Sequence, residues 1–211
     1  MEIFVDLDET LFDTSRLDVY LSQRVEKDWN ISLEDYRSAH NKVFAINAGI
    51  YSPLVLAGLL AEITGKDKEV LTTYFKDLFA HEDSAAYLFA DAISFLNSCS
   101  KIGGVVILSF GEDFVQTPRI IRCGLPSLVS GIIVTQGVKV KEIQKYLNVH
   151  SFNNNRVALV DDSLKHLDPV KEMFPNSITV HIVRKPNVVT PSEHYQAASL
   201  TEALGILKRY K

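Results

Sequence analysis

Two acidic pairs in this sequence each follow a short apolar run. Asp6 and Asp8 come directly after the run 3–5, and the adjacent acids Asp161 and Asp162 come after the run 157–160. Residues i and i+2 of a strand lie on the same side, and the carboxyl ends of parallel strands share one edge of a sheet. Carboxylates gathered there suit Mg²⁺, which takes one or two of them plus a phosphate oxygen of a substrate. Each pair taken alone would also suit an ordinary turn or the start of a helix.

Three further residues could bind a phosphate. Ser109 ends a second apolar run and is followed by Phe110 and Gly111, then by a predicted helix. A hydroxyl beside free backbone N–H groups at a helix start can bind a phosphate, although a plain turn has the same pattern. Lys139 and Lys141 flank the start of a later helix, where one ammonium could offset the acids. The choice between the two lysines stays open.

The elements that must position these residues alternate along the chain. Continuous apolar, β-branched runs predict strands buried on both faces, and helical patterns lie between them. The predicted strands are 3–5, 105–108, 132–134, 157–160 and 178–183, and the predicted helices between and after them are 90–98, 113–122, 141–147, 164–173 and 199–209. This order predicts an α/β fold, a doubly wound parallel sheet with right-handed crossovers.

One interval breaks that alternation. Between the first and second predicted strands, the sequence has helical stripes of apolar residues and no strand-like run. Ser52 followed by Pro53 is typical of a helix start, and Gly65 of a helix end. We therefore predict a catalytic core formed by 1–13 and 86–211, with a helical domain inserted at 14–85. Residues near 12–16 or 45–51 of this insertion could face a substrate.

Composition excludes several classes of protein. The chain has 211 residues, 46% of them hydrophobic, and a formal net charge of −4. This length suits a full hydrophobic core, and the negative charge argues against a nucleic-acid or anionic-membrane surface. Cys99 and Cys123 lie far apart and without the spacing of metal ligands, so we expect buried thiols. We expect no signal peptide and no membrane span, and hence a cytoplasmic protein.

The ordered motifs resemble those of one superfamily. Residues 6–13 are similar to the first motif of the haloacid dehalogenase superfamily, in its DxDxT phosphatase branch, with Thr10 as the threonine. A serine closing strand two, a lysine before strand four and the 160–167 segment follow in that family's order. The resemblance covers the whole chain. It implies a Rossmann-like core and a helical cap inserted after the first strand.

The resemblance also implies roles for the acids. Asp6 would be the nucleophile that forms an aspartyl phosphate, and Asp8 would be the general acid and base. Mg²⁺ would be bound by Asp6, Asp8 through its backbone carbonyl, and Asp162, with Asp161 as second choice. We therefore predict a Mg²⁺-dependent phosphatase that hydrolyses a small-molecule phosphomonoester.

Other residues would bind the phosphoryl group. By the same resemblance these are Thr10, Ser109, Phe110 and either Lys139 or Lys141. The sequence departs from the family at two of these places, because no proline follows either lysine and Phe110 stands where many relatives have asparagine. His166 stands where a polar residue is frequent, and we expect it on a helix surface.

The same motifs are compatible with other functions. A phosphomutase, or another phosphotransferase of the same scaffold, would differ only in the group that accepts the phosphoryl. A catalytically silent phosphate-binding or interaction protein is a further alternative. Dehalogenation needs neither the metal nor an acid at the position of Asp8, and receiver domains have their motifs in another order. The substrate and the oligomeric state stay open.

Overall fold

The computed structural model describes residues 1–150, 156–184 and 189–210, and within them six strands form one sheet. The strands are β1 (Glu2–Val5), β2 (Gly104–Phe110), β3 (Gly131–Thr135), β4 (Val157–Asp161), β5 (Ile178–Ile182) and β6 (Tyr195–Ala197). Their order is β3-β2-β1-β4-β5-β6, and every pairing is parallel. The predicted α/β fold with a doubly wound parallel sheet is confirmed.

Helices connect these strands. They are α1 (Thr14–Trp29), α2 (Leu33–Ile46), α3 (Pro53–Thr64), α4 (Lys68–His81), α5 (Ala92–Cys99), α6 (Asp113–Arg122), α7 (Lys139–Val149), α8 (Leu164–Met173) and α9 (Leu200–Lys208). Short 3₁₀ turns lie at Ser84–Tyr87 and Leu125–Leu128. None of the helices in the described parts of the chain combines the length and apolar character needed to cross a membrane.

The centre of the sheet is β1. Val5 pairs with Ile107 of β2 on one side and with Val160 of β4 on the other, so these three strands end at similar heights. All four residues of β1 are buried, because helices pack on both faces of the sheet. This register brings the residues that follow β1, β2 and β4 to one edge.

Five helices, α1 to α5, separate β1 from β2, and the first four of them lie within the predicted insertion. The segment that leads from β1 into α1 lies beside the segment that follows α4. Two backbone hydrogen bonds join them, from Asp13 N to Tyr87 O and from Phe89 N to Leu11 O. Local sequence explains the bounds of α3: Ser52 caps its first turn, and Gly65 ends it in the left-handed region at φ 68°. The boundaries of an inserted domain at 14–85 remain a prediction.

Candidate active site

Three carboxylates meet at the carboxyl edge of the sheet. Asp6 follows β1, Asp161 is the last residue of β4, and Asp162 follows it. A carboxylate oxygen from each of the three lies within 4.8 Å of the others. The backbone N–H of Asp6 donates to Val160 O at 2.9 Å, which ties the two strand ends together. The cluster is therefore compact enough for its members to share one cation.

One buried lysine joins two of these acids. Lys139, the first residue of α7, is fully buried, and its Nζ lies 2.5 Å from Asp6 Oδ1 and 2.7 Å from Asp161 Oδ2. Lys141 lies two residues further along the same helix and is exposed. Of the two candidate lysines, the structure brings only Lys139 to the acids.

Electrostatics at the cluster favour a further cation. Burial, followed by the neighbouring Asp161, raises the pKa of Asp162 to about 7, and burial raises the pKa of Asp6 well above its usual range despite Lys139. Burial alone would lower the pKa of Lys139, but Asp161 and Asp6 raise it, so the lysine stays charged. If all three carboxylates ionise, the one ammonium leaves two negative charges uncompensated, so the ionised form of the cluster needs a further cation. This charge fits a divalent cation such as Mg²⁺.

The two adjacent acids differ in how their oxygens are used. Asp161 accepts from Lys139 at Oδ2 and from the backbone N–H of Ser163 at Oδ1, at 2.7 and 2.9 Å. The carboxylate of Asp162 accepts no hydrogen bond from the described residues. Asp162 therefore has free oxygens for a metal ion, whereas Asp161 is already held by two donors.

Asp8 lies outside this cluster and is held by three donors. Its Oδ1 accepts from Thr14 Oγ1 at 2.7 Å and from Arg119 Nη1 at 3.0 Å. Its Oδ2 accepts from Gln116 Nε2 at 2.6 Å. Thr14 begins α1, and the other two donors lie on α6. The Asp8 carboxylate is thus fixed between α1 and α6.

Sequence reasoning missed Gln116 and Arg119. Both side chains are buried, and the guanidinium of Arg119 lies 4.6 Å from the centre of the Phe12 ring and 3.7 Å from the buried Glu82. The two residues are three apart on α6, so they share a face with the apolar Val115 and Ile120. Polar residues on the buried face of an amphipathic helix were the available signal.

Two hydroxyls predicted to bind phosphate are buried without partners. Thr10 Oγ1 and Ser109 Oγ make no hydrogen bond with the described residues, and both residues are fully buried. Buried polar groups are ordinarily satisfied, so such hydroxyls suggest a missing ligand. Phe110 ends β2, and its ring lies 5.3 Å from that of His166. His166, expected on a helix surface, is instead half-buried there.

A cavity of about 520 Å³ opens beside these residues. Asp6, Asp8 and Asp162 line it from the sheet edge. Helix α6 contributes Val115, Gln116 and Arg119. Helices α1, α2 and α4 and the segment before α3 contribute Thr14, Ser15, Leu17, Asp18, Leu21, His40, Phe44, Gly49, Ile50, Tyr51 and Phe79. The two segments that were expected to be able to face a substrate both contribute to this wall.

Comparison with known proteins gave matches among solved structures. No protein-family model and no curated protein sequence matches this chain. A proposed haloacid dehalogenase-like hydrolase from Burkholderia xenovorans LB400 has a TM-score of 0.79 at 18% identity, with 96% of each chain covered. The proposed HAD-hydrolase YfnB from Bacillus subtilis, bound to magnesium, has a TM-score of 0.72 at 16% identity, covering 98% of this chain and 97% of that one.

Some of the matching structures belong to proteins named for other reactions. A proposed β-phosphoglucomutase from Thermotoga maritima has a TM-score of 0.73 at 14% identity, covering 100% of this chain and 99% of that one. L-2-haloacid dehalogenase from Xanthobacter autotrophicus matches as well. At these identities the likeness establishes the fold and not the reaction. The chain has the α/β fold of the haloacid dehalogenase-like hydrolases.

Proposed function

We propose that this protein is a Mg²⁺-dependent phosphatase that hydrolyses a small-molecule phosphomonoester through an aspartyl phosphate on Asp6. The observation that carries the proposal is the cluster of Asp6, Asp161 and Asp162, in which the first two contact the buried ammonium of Lys139. It supplies a nucleophile, an excess of negative charge for a divalent cation, and a fixed positive charge within one site.

The metal would be bound by Asp6, by the backbone carbonyl of Asp8 and by Asp162, with Asp161 as second choice. When bound, Mg²⁺ would offset the charge on the transferring phosphoryl group. The free carboxylate oxygens of Asp162 support its place among the ligands. The magnesium in the YfnB structure supports a metal in this fold.

In the first step, a carboxylate oxygen of Asp6 would attack phosphorus, and the bond from phosphorus to the ester oxygen would break. Asp8 would donate its proton to that leaving oxygen. Asp8 would then accept a proton from water while the water oxygen attacks phosphorus, which breaks the bond to Asp6 and releases phosphate. The carboxylate of Asp6 is thereby regenerated.

Binding of the phosphoryl group would fall to residues around the nucleophile. Lys139 already contacts Asp6, and the buried hydroxyls of Thr10 and Ser109 have no partner among the described residues. The backbone N–H at Phe110 would add a donor at the end of β2. Fixed donors at a water-poor site stabilise developing charge more than donors in water do.

Two other reactions use the same fold. A phosphomutase would pass the phosphoryl group to a second hydroxyl instead of water, and the likeness to the Thermotoga maritima protein favours it as the second candidate. Dehalogenation is disfavoured, because it gives no role to Asp8 or to an excess of negative charge. A silent phosphate-binding protein would not need Asp8 held in place by three donors.

The test is hydrolysis of p-nitrophenyl phosphate with Mg²⁺, with EDTA, and by Asp6→Asn protein. We expect wild-type protein to hydrolyse the ester with Mg²⁺. We expect no hydrolysis by wild-type protein with EDTA, or by Asp6→Asn protein with Mg²⁺. Acid quenching during turnover of a ³²P-labelled ester should trap the label on Asp6. Release of inorganic phosphate, with no transfer of the label to an added sugar, would identify a hydrolase and not a mutase. Full turnover by Asp6→Asn protein would refute the mechanism.

A further inference from the structure

Besides the acids already described, two carboxylates line the cavity: Glu9 and Asp18. Glu9 has a structural reason to be there, since its Oε1 accepts from the backbone N–H and the hydroxyl of Ser15 in the first turn of α1. A carboxylate at a helix start is stabilised by the helix dipole. Asp18 lies one turn further along α1, beyond that first turn.

Only one of the two carboxylate oxygens of Asp18 has a partner among the described residues. Its Oδ1 accepts from the hydroxyl of Tyr36 at 2.8 Å, and Nε2 of His40 lies 3.3 Å from the same oxygen. Its Oδ2 accepts no hydrogen bond from the described residues, and the side chain is 34% exposed. Asp18 is therefore an oriented acceptor with one free oxygen at the cavity wall.

Among the described residues that line the cavity, the basic side chain in contact with Asp18 is His40, and no lysine or arginine contacts it. Arg119 is the only lysine or arginine that lines the cavity among the described residues, and it is engaged by Asp8 and Glu82. Lys165 does not itself line the cavity, but its ammonium lies 5.3 Å from the centre of the Phe110 ring and next to Gly49, and both of those residues do. A second anionic group on a substrate that approached the free oxygen of Asp18 would therefore meet a carboxylate that no lysine or arginine among the described residues contacts.

Aromatic rings form the wall next to Asp18. The ring of His40 lies 5.2 Å from that of Phe44 and 5.5 Å from that of Tyr51, and Tyr51 lies 6.0 Å from Phe79. All four rings line the cavity. An apolar wall with a few oriented polar groups is the usual form of a small-molecule site.

We infer that Asp18 selects the alcohol part of the substrate: a hydroxyl or N–H of a neutral or cationic, ring-bearing group donates to its free Oδ2, and esters with a second anionic group are rejected. The inference rests on the proposed function, because the phosphate end of the substrate must lie at Asp6. Two like charges a few ångströms apart at a partly exposed site repel enough to weaken binding about tenfold or more. A hydrogen bond from the neutral or cationic substrate to Asp18 Oδ2 further increases the difference in affinity between the two kinds of ester.

The test compares glucose 1-phosphate with glucuronic acid 1-phosphate, which differ only in a hydroxymethyl against a carboxylate. Binding is measured by calorimetry with Mg²⁺ at pH 8 in Asp6→Asn protein, so that no turnover is needed. We expect the neutral ester to bind at least about tenfold more tightly. Equal binding, tighter binding of the anionic ester, or no measurable binding of the neutral ester would overturn the inference.

Two further proteins isolate the role of Asp18. Adding Asp18→Asn removes the charge while keeping an acceptor for Tyr36, and it should bring the two affinities within about threefold of each other. Adding Glu26→Gln removes the same charge from an exposed position of α1 and should leave the ratio unchanged. A ratio that survives Asp18→Asn in folded protein would also overturn the inference. Failure of wild-type protein to hydrolyse p-nitrophenyl phosphate would instead count against the proposed function.

Discussion

The amide of Gln116 donates a 2.6 Å hydrogen bond to Asp8, although 108 positions separate the two residues in the sequence. The contact joins α6 to the turn after β1. Arg119, one turn further along α6, donates to the other oxygen of the same carboxylate. The orientation of the proposed general acid and base is therefore set by a helix that carries none of the predicted catalytic residues.

Gln116→Ala should lower kcat by about 10-fold to 100-fold, because a misplaced catalytic group loses much of its effect. KM should change little, since Gln116 would orient Asp8 and not bind phosphate. The measurement is steady-state hydrolysis of p-nitrophenyl phosphate with Mg²⁺. Gln116→Glu keeps the length of the side chain but removes the donor, so it should not restore kcat. A rise in KM with unchanged kcat would show that Gln116 contacts the substrate instead.

The strands that carry the acids could be predicted from sequence because they are buried on both faces. A continuous apolar run such as 157–160 permits few structures other than a central strand. The edge strand β6 (Tyr195–Ala197) was missed, since a three-residue strand that pairs on one side only has no such run. The prediction of 113–122 and 164–173 as helices matches α6 and α8 at both ends.

Sequence reasoning could predict only part of the site. Residues directly after strands, such as Asp6 and Asp162, were found because the topology of a parallel sheet fixes where they lie. Asp18 and Gln116 were not found, since their positions depend on how helices pack across the cavity. The choice of Lys139 over Lys141 depends on where α7 begins. The helix begins at residue 139, two residues before the predicted start at 141, and this places Lys139 on its buried face.

Replacing Lys139 should cost both stability and activity. In Lys139→Met protein, Asp6 and Asp161 would remain buried without their shared cation, which costs about 3–5 kcal/mol of unfolding free energy. Loss of a fixed donor at the phosphoryl group should lower kcat by about 10²–10³-fold. Urea unfolding and phosphatase assays measure the two effects.

The matched control is Lys141→Met, which removes the same charge from an exposed position of α7. It should leave both quantities within the error of wild type. The assignment of Lys139 would be wrong if Lys141→Met lost the greater share of activity.

Mg²⁺ should stabilise the folded protein through the acidic cluster. A ligand at 100 times its Kd adds about 2.7 kcal/mol, which for a chain of this size raises Tm by about 5–10 °C. Asp162→Asn should remove most of this shift, because the variant loses a carboxylate with free oxygens. Glu172→Gln, at an exposed position of α8, should keep it. Thermal unfolding across a Mg²⁺ titration tests this, and an equal shift in all three proteins would place the metal elsewhere.

Acid should destabilise the fold in part through His166. Burial, and then the charge of Lys139, lowers the pKa of His166 to about 4, whereas a histidine in the unfolded chain has a pKa of about 6.5. Between these values the unfolded chain binds a proton that the folded protein does not. The contribution of the neutral ring is therefore complete above pH 6.5 and is lost as the pH falls towards 4.

In His166→Gln protein, the loss of unfolding free energy on acidification should be smaller than in wild type by about 1–2 kcal/mol. This value allows for solvent screening of a half-buried ring. Urea unfolding of both proteins at pH 7 and pH 4.5 measures the difference, and His81→Gln, which changes an exposed histidine of α4, is the control. If His166→Gln lost as much stability as wild type between the two pH values, His166 would have to be protonated in the folded protein. Its ring would then carry a positive charge against Phe110 at the cavity wall, where a second cation beside Lys139 would change the charge presented to a phosphate.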